Sequence, residues 1–407
     1  MAAAAPPRLC VASCAELCAS PGSATETFGE SGLDEGALYA ALRARGVPFD
    51  VRAWDDARVD WRAYTAVVVR TTWDYSESEG RATAFLRWVD GLAAAGVAVH
   101  NSAQVLAWSA HKRYLRALEA AGVRVIPTEW VPAGSDAEAC DLAAVCARRG
   151  WRGAVMLKPC VSGGSRGCLR VDGTAVTRAQ GSAFLRSMVT GGDHVAGVGA
   201  GGAAAAGGSG SDSGGGCDMM VQPFQHSVER HGELSVVTVA GRITHALVKT
   251  PRRGDFRTQE EHGGVPRGVP VTPQMRAAVD AALAAAAACV PLRAPSELLL
   301  ARLDFLWADG EDGGEQGGAE AAAVATAAAT ASAQQQQQQQ QQQPGVEAAA
   351  PLVLLELEAL EPCMYFNCSG PPERDGATGA LIAPAAAALA GAIAERLALA
   401  AAAAAAR

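Results

Sequence analysis

Lysine is almost missing from this 407-residue chain: only Lys112, Lys158 and Lys249 occur among its 34 lysines and arginines. Arginine has taken nearly every basic position in an Ala- and Gly-laden composition, so the three that remain mark places where a compact ammonium is needed instead of a planar fork. Aromatic residues make up 5% of the chain, no basic tract is present, and the net charge is −8. This balance argues against a nucleic-acid partner. Metal-type cysteine spacing is missing too. Cys10, Cys14 and Cys18 recur without a paired CxxC, as do Cys363 and Cys368, so the eleven cysteines read as thiols of a reducing compartment. The histidines show neither metal spacing nor a neighbouring Ser or Cys, which removes a triad. Strongly apolar runs are absent, since the Ala-rich segment 379–407 carries Pro384, Glu395 and Arg396 and reads as a soluble helix, with no membrane expected. MAAAAPPR lacks a secretory apolar core and is too short for a transit peptide. A cytoplasmic address is expected, with a plastid left open.

What is present is enough for two or three domains. Residues 191–216 are rich in Gly, Ala and Ser, and 309–350 include the run Gln334–Gln343. Both read as disordered low-complexity inserts without apolar surface to bury. Ahead of them the pattern predicts strands at 8–14, 47–54, 64–73 and 96–100 and helices at 34–45 and 78–95, a small α/β layer. Asn101 and Ser102 predict the cap of a helix that runs to Gly122 and carries Lys112. The remainder predicts an α+β pattern: strands at 123–131, 154–159, 167–171, 219–224, 233–241, 242–251, 298–307 and 351–362, with helices near 136–149, 174–190 and 273–289.

Three constellations could carry chemistry. Ser162, Gly163, Gly164, Ser165, Arg166 and Gly167 lie between two strands, four residues beyond Lys158. Glycines let main-chain N–H groups converge on an anion, so a phosphate nest is the reading preferred over an ordinary hairpin turn, although no Walker loop exists. In LARLDFLW, Arg302 and Asp304 share one strand face, and in LLELEALEP so do Glu356 and Glu358. Acid pairs on two apolar strands suit Mg²⁺, which prefers oxygen ligands; the plainer reading is a strand with one wet face. The stretch 245–264 carries Lys249, Arg252, Arg253 and Arg257, either a solvated basic loop or a contact for anionic oxygens. Separately, Arg70, Trp73, Asp74 and Tyr75 follow an apolar strand of the first layer, where an amino-acid-like substrate could be received.

Taken in order, Lys112, Lys158-Pro159 with its Gly-rich loop, Gln222-Pro223-Phe224, Gly232-Glu233, Lys249, Arg257 with Gly263-Gly264, Arg302-x-Asp304 and Glu356-x-Glu358 resemble the ATP-grasp superfamily, in its glutathione-synthetase-like branch. WDY, GDFRTQ…GG and ELE…EP look most like the O-ureido-serine cyclo-ligase group within it. The resemblance implies a pre-ATP-grasp α/β domain over 1–105, a lid subdomain over 106–221 and a C-terminal subdomain over 222–400. It further implies ATP and Mg²⁺ as cofactors. Lys112, Lys158, Ser162, Gly163, Gly164 and Gly167 would hold phosphates, and Gln222, Pro223 and Phe224 would meet adenine, with Glu233 near the ribose. Asp304, Glu356 and Glu358 would hold metal, although many relatives have Asn where Glu358 stands. Lys249, Arg257 and Arg302 would face the transferring phosphoryl. The implied activity is a carboxylate–amine ligase acting through an acyl phosphate on a small amino-acid-like substrate. A phosphotransferase and a non-catalytic ATP-binding scaffold are the alternatives.

Overall fold

The computed structural model describes residues 6–18, 32–191, 216–309 and 350–406. Apart from their end residues, both low-complexity stretches, with the expectation that they are disordered, lie outside the described residues.

The chain begins with β1 (Leu9–Ser13), α1 (Ala15–Cys18), α2 (Gly32–Ala44), β2 (Phe49–Ala53), β3 (Ala66–Thr71), α3 (Glu79–Ala94) and β4 (Ala98–His100). The strands form a parallel sheet in the order β2-β1-β3-β4. β1 is buried along its whole length and β3 along all but its last residue, as central parallel strands covered on both faces must be. Leu9 and Val11 pack on Leu38 and Leu42 of α2, whereas Cys10 and Ala12 pack on Phe85 and Val89 of α3. Ser78 and Ser102 accept the N–H groups of Arg81 and Val105 and so start their helices.

α4 (Ala103–Ser109) and α5 (Tyr114–Ala120) replace the single helix expected up to Gly122. Lys112 falls in the turn between them, because its N–H is donated to the Cys160 carbonyl at 2.8 Å instead of continuing a helix. A second, antiparallel sheet follows, built from β5 (Glu129–Val131), α6 (Leu142–Arg149), β6 (Val155–Pro159), β7 (Leu169–Val171), α7 (Ala175–Thr190) and β8 (Met219–Pro223), in the strand order β5-β8-β6-β7. Only Glu129–Val131 of the expected strand 123–131 enters it, since Pro127 has no N–H to offer. α6 starts at Leu142 because Asp141 accepts the N–H groups of Ala143 and Ala144 there.

The third sheet holds β9 (Glu233–Val239), β10 (Arg242–Thr250), β11 (Val265–Val269), β12 (Leu300–Trp307) and β13 (Leu352–Glu358) in the order β11-β10-β9-β12-β13, all antiparallel. α8 (Ser227–His231) leads into it, and α9 (Pro273–Cys289) packs on one face through Val279, Ala282 and Leu283. β11 was not foreseen, because Pro266 and Gly268 disguise it; both are tolerated on an edge strand. α10 (Pro384–Ala405) is long and apolar enough to cross a bilayer by length and composition. Its residues Ala385, Leu389, Ile393 and Leu397 are nonetheless core, packed with α2 and the third sheet.

Two polar joints fix the first layer against the third sheet. Asn101 donates to the Leu300 and Ala359 carbonyls and accepts the Leu299 N–H, all buried. Asp34, near the start of α2, accepts the N–H groups of Met364, Tyr365 and Phe366 at 2.6, 2.8 and 2.8 Å. Tyr365 sits at φ +48°, a conformation that costs a bulky residue on the order of 1–3 kcal/mol and persists only where its surroundings enforce it. Asp34→Ala would leave three buried donors unsatisfied, and a loss of about 3–5 kcal/mol is expected in urea unfolding followed by circular dichroism.

Candidate active site

Strand register assembles the centre. Across β12 and β13, Arg302 faces Glu358 and Asp304 faces Glu356; across β12 and β9, Asp304 faces Ser235; across β10 and β9, Lys249 faces Glu233. Period-2 alternation puts these side chains on one face, while Leu303, Leu357 and Leu234 fill the core behind. Ligand oxygens of Asp304, Glu356 and Glu358 lie within 4.8 Å of one another. The donor set is all carboxylate oxygen, the chemistry of a Mg²⁺ site.

Asp304 is the hub. Its carboxylate accepts Arg302 Nε and Nη2 at 3.0 and 2.9 Å and Ser235 Oγ at 2.5 Å, and Lys249 Nζ lies 3.6 Å away. Burial alone would raise its pKa, but Arg302 and Lys249 outweigh that and hold it at about 2. Glu358 accepts Arg302 Nη2 at 2.9 Å, yet burial and the nearby Glu356 and Asp304 charges exceed that help and push it up to about 7. This neighbouring pair of acids with opposed shifts sits where a metal would bind.

The three lysines do converge here. Lys112 Nζ bridges Glu356 Oε1 at 2.9 Å and the Ser162 carbonyl at 2.8 Å, tying the Gly-rich loop to the acids. Burial opposes its charge, but Glu356 more than compensates and raises its pKa. Lys158, in β6 opposite Met220, makes no ion pair among the described residues; burial lowers its pKa although Glu356 and Glu233 pull the other way. It is a cation waiting for an anion. Lys249 Nζ donates to Glu233 Oε1 at 2.5 Å. The other oxygen of Glu233 accepts Thr258 Oγ1 at 2.8 Å, so Glu233 anchors Lys249 and the loop after β10. Gly264 serves the same loop: a Cβ there would lie 2.0 Å from the Thr258 carbonyl.

Among the loop residues, Ser162 donates to the Arg166 carbonyl, and Gly164 and Gly167 take φ +57° and +69°, which glycine adopts freely. Ser162, Gly163, Gly164 and Gly167 therefore form an exposed to half-buried turn beside Lys112. Gln222 and Pro223 end β8, and Phe224 follows it. Phe224 joins Ile126, Met156, Val228, Leu306 and Val353 in an apolar cluster between the second and third sheets. Gln222 donates to Thr128 Oγ1, and its own Oε1 is buried without a partner. Arg302 and Lys249 are engaged by carboxylates, and Arg257 pairs with Asp255 at 2.7 Å, outside this cluster of contacts.

Of the residues considered for receiving a substrate, Arg70 and Asp74 are engaged by packing and ion pairs. Arg70 is 2% exposed and spent on Glu35 and on the Pro362 carbonyl, and Asp74 accepts Trp54 Nε1 and Arg81. Tyr75 packs on Phe85. Ser235 was overlooked, although its place two residues after Glu233 on a strand was the available signal. Tyr114, whose hydroxyl accepts the Leu357 N–H, gave none.

Residues 9–101 match the family described as D-cycloserine synthetase DcsG, N-terminal domain. The cycloserine biosynthesis protein DcsG of Streptomyces lavendulae is 31% identical over 212 residues, which are 52% of this chain and 60% of that relative's length. The crystal structure of D-cycloserine synthetase DcsG superposes with a TM-score of 0.66 at 24% identity, covering 96% of this chain and 99% of the other. The ATP-grasp ligase PsnB with its minimal precursor superposes at 0.50 and 15% identity, covering 95% and 99%. The chain has an ATP-grasp fold. In ATP-grasp terms the mixed α/β and α+β reading of the sequence holds, with a parallel first layer and two larger antiparallel sheets.

Asp304→Asn would leave Arg302 and Lys249 buried side by side without their shared counter-charge, at a cost of about 3–5 kcal/mol, readable as a lower urea midpoint. The folded pKa of about 2 lies below the ordinary carboxylate value. The contribution is thus complete above the ordinary range and lost as pH falls toward 2, and the wild-type and variant stabilities should converge with acidification.

Proposed function

We propose that this chain is an ATP- and Mg²⁺-dependent ligase that joins a small carboxylate to an amine through an acyl phosphate. The carrying observation is the carboxylate trio within 4.8 Å of one another, bordered by Lys112, Lys158 and the Gly-rich loop. The ATP-grasp fold and the relatives named for cycloserine synthesis support the reading and favour an amino-acid-like substrate.

Asp304, Glu356 and Glu358 would hold Mg²⁺, which neutralises phosphate oxygens and so eases phosphoryl transfer. Lys158 supplies a half-buried charge with no ion pair among the described residues for a phosphate, and Lys112 couples the loop to the acids. Arg302 and Lys249 fix Asp304 as an anion. The segment 222–224 would meet adenine between the two antiparallel sheets, where Phe224 packs with its apolar neighbours under the Arg170 guanidinium. A carboxylate is a poor electrophile; transfer of the γ-phosphoryl to it releases ADP and gives it a phosphate leaving group, which the amine then displaces. Positioning and charge neutralisation supply the rate, and no side-chain nucleophile is required. The eleven thiols are all free, which supports a reducing compartment such as the cytoplasm.

The test is ADP release with Mg²⁺ and ATP across a panel of amino acids, run with hydroxylamine. Carboxylate-dependent release with hydroxamate formation is expected, abolished by EDTA. Release without hydroxamate would point to a phosphotransferase, and nucleotide binding without release to a scaffold. Lys158→Met is expected to raise KM for ATP about tenfold or more, and Glu356→Gln to lower kcat about 100-fold. Lys158→Met should keep wild-type stability within about 1 kcal/mol, because it leaves no counter-charge behind, whereas Glu356→Gln takes away the partner of Lys112 and is expected to lower stability by about 1–3 kcal/mol.

A further inference from the structure

β13 is the outer strand of the third sheet, and it carries two of the three clustered carboxylates. Its ladder with β12 is interrupted beside them: Asp304 faces Glu356 but Phe305 faces Leu354, so Leu355 is an extra residue. A bulge of this kind re-aims the side chain next to it, here Glu356, and leaves the local main chain less firmly held by the sheet. The outward N–H groups of the strand show the same break, since they fall at Leu354, Leu357 and Ala359 instead of on alternate residues throughout.

Each of these N–H groups is taken by a neighbour. Leu354 donates to the Arg124 carbonyl at 2.9 Å, Leu357 to Tyr114 Oη at 3.0 Å and Ala359 to Ser109 Oγ at 3.2 Å. The last two acceptors are side chains at either end of the turn between α4 and α5, and they bracket the ligands. Leu357 lies between Glu356 and Glu358, and Ala359 follows Glu358. Lys112, inside the same turn, adds its ammonium to Glu356 Oε1 and the Ser162 carbonyl. One short turn therefore grips the main chain of the acid-bearing strand, one of its carboxylates and the Gly-rich loop. Tyr114 itself is locked by packing, 3% exposed with its ring centroid 5.0 Å from that of Trp108.

A buried N–H on a strand edge needs an acceptor anywhere, and a main-chain carbonyl serves for Leu354. Beside the carboxylates the acceptors are instead hydroxyls, held by a turn that also contacts Glu356. Tilting the Leu357 peptide would swing Glu356 and Glu358 together, because both project from the strand face on either side of it. Mg²⁺ demands near-ideal octahedral geometry, so such a tilt costs affinity. We propose that Tyr114, assisted by Ser109, is a positioning residue that aims Glu356 and Glu358 at the metal across the bulge. This rests on the reading of the carboxylate trio as a Mg²⁺ site, and metal binding reads it without turnover.

The test is titration of the full chain with Mn²⁺, a spectroscopic substitute for Mg²⁺, read by electron paramagnetic resonance with a non-hydrolysable ATP analogue present. Tyr114→Phe removes only the hydroxyl and is expected to weaken Mn²⁺ binding about tenfold. Ser109→Ala should weaken it in the same direction, whereas Ser109→Thr, which keeps the hydroxyl, should match the wild type. Raised Mg²⁺ should restore ADP release by Tyr114→Phe, a rescue that a folding defect would not show. Thr174→Ala is the stability control: it removes the cap of α7, which packs on the sheet face opposite Lys158, and should lower the melting temperature with Mn²⁺ affinity unchanged. A folded Tyr114→Phe protein with wild-type Mn²⁺ affinity overturns the proposal. Should that variant fail to fold, wild-type affinity in Ser109→Ala overturns it instead. Glu356→Gln separates the two readings. Unchanged Mn²⁺ affinity in that variant refutes the metal site and the proposal with it, whereas a loss there with none in Tyr114→Phe refutes the positioning role alone.

Discussion

One buried anion organises the centre of this protein. Asp304 sits between Arg302, Lys249 and Ser235, and its ionised state is the condition under which two buried cations can be stored on a sheet face. Neither cation could remain there alone, because an unpaired charge in the interior costs several kcal/mol on the order of a whole domain's stability margin. The network reaches outward from that point. Arg302 goes on to Glu358 and to the Cys363 carbonyl, Lys249 to Glu233, and Glu233 to Thr258 and the loop beyond β10. A single electrostatic arrangement therefore positions two of the three clustered acids and the loop that faces them.

The first layer contributes to this centre indirectly. Asp34 holds the segment 364–366 in place, and that segment carries Tyr365, whose ring lies 5.8 Å from both Lys249 and the Arg302 guanidinium. Arg70, buried with Glu35, grips the Pro362 carbonyl next to Glu361. Domain contact and site construction are thus the same interactions, so the geometry beside the clustered carboxylates depends on how the parallel sheet docks.

Much of this was legible in the amino-acid sequence because strand period and charge are local properties. Arg302 with Asp304, and Glu356 with Glu358, had to share faces once their segments were strands, and the apolar residues between them marked the opposite face as core. The three lysines were conspicuous through scarcity, and the Gly-rich loop through backbone freedom. The helix around Lys112 was misread, since one long-range hydrogen bond to Cys160 breaks it and no local signal announces such a partner. β11 was missed for the complementary reason: Pro266 and Gly268 read as breakers unless the strand is known to lie at an edge.

Composition and spacing by themselves determined the class of fold, the alternation of the strands and which acids stand on a common face, because each follows from chain geometry over a few residues. Only the tertiary structure decided which faces meet: that Asp304 opposes both Ser235 and Glu356, that Lys112 spans to Glu356, and that Arg70 and Asp74 are engaged by Glu35 and Arg81. Those outcomes depend on strand register and on docking between segments hundreds of residues apart, and nothing in a local window encodes either.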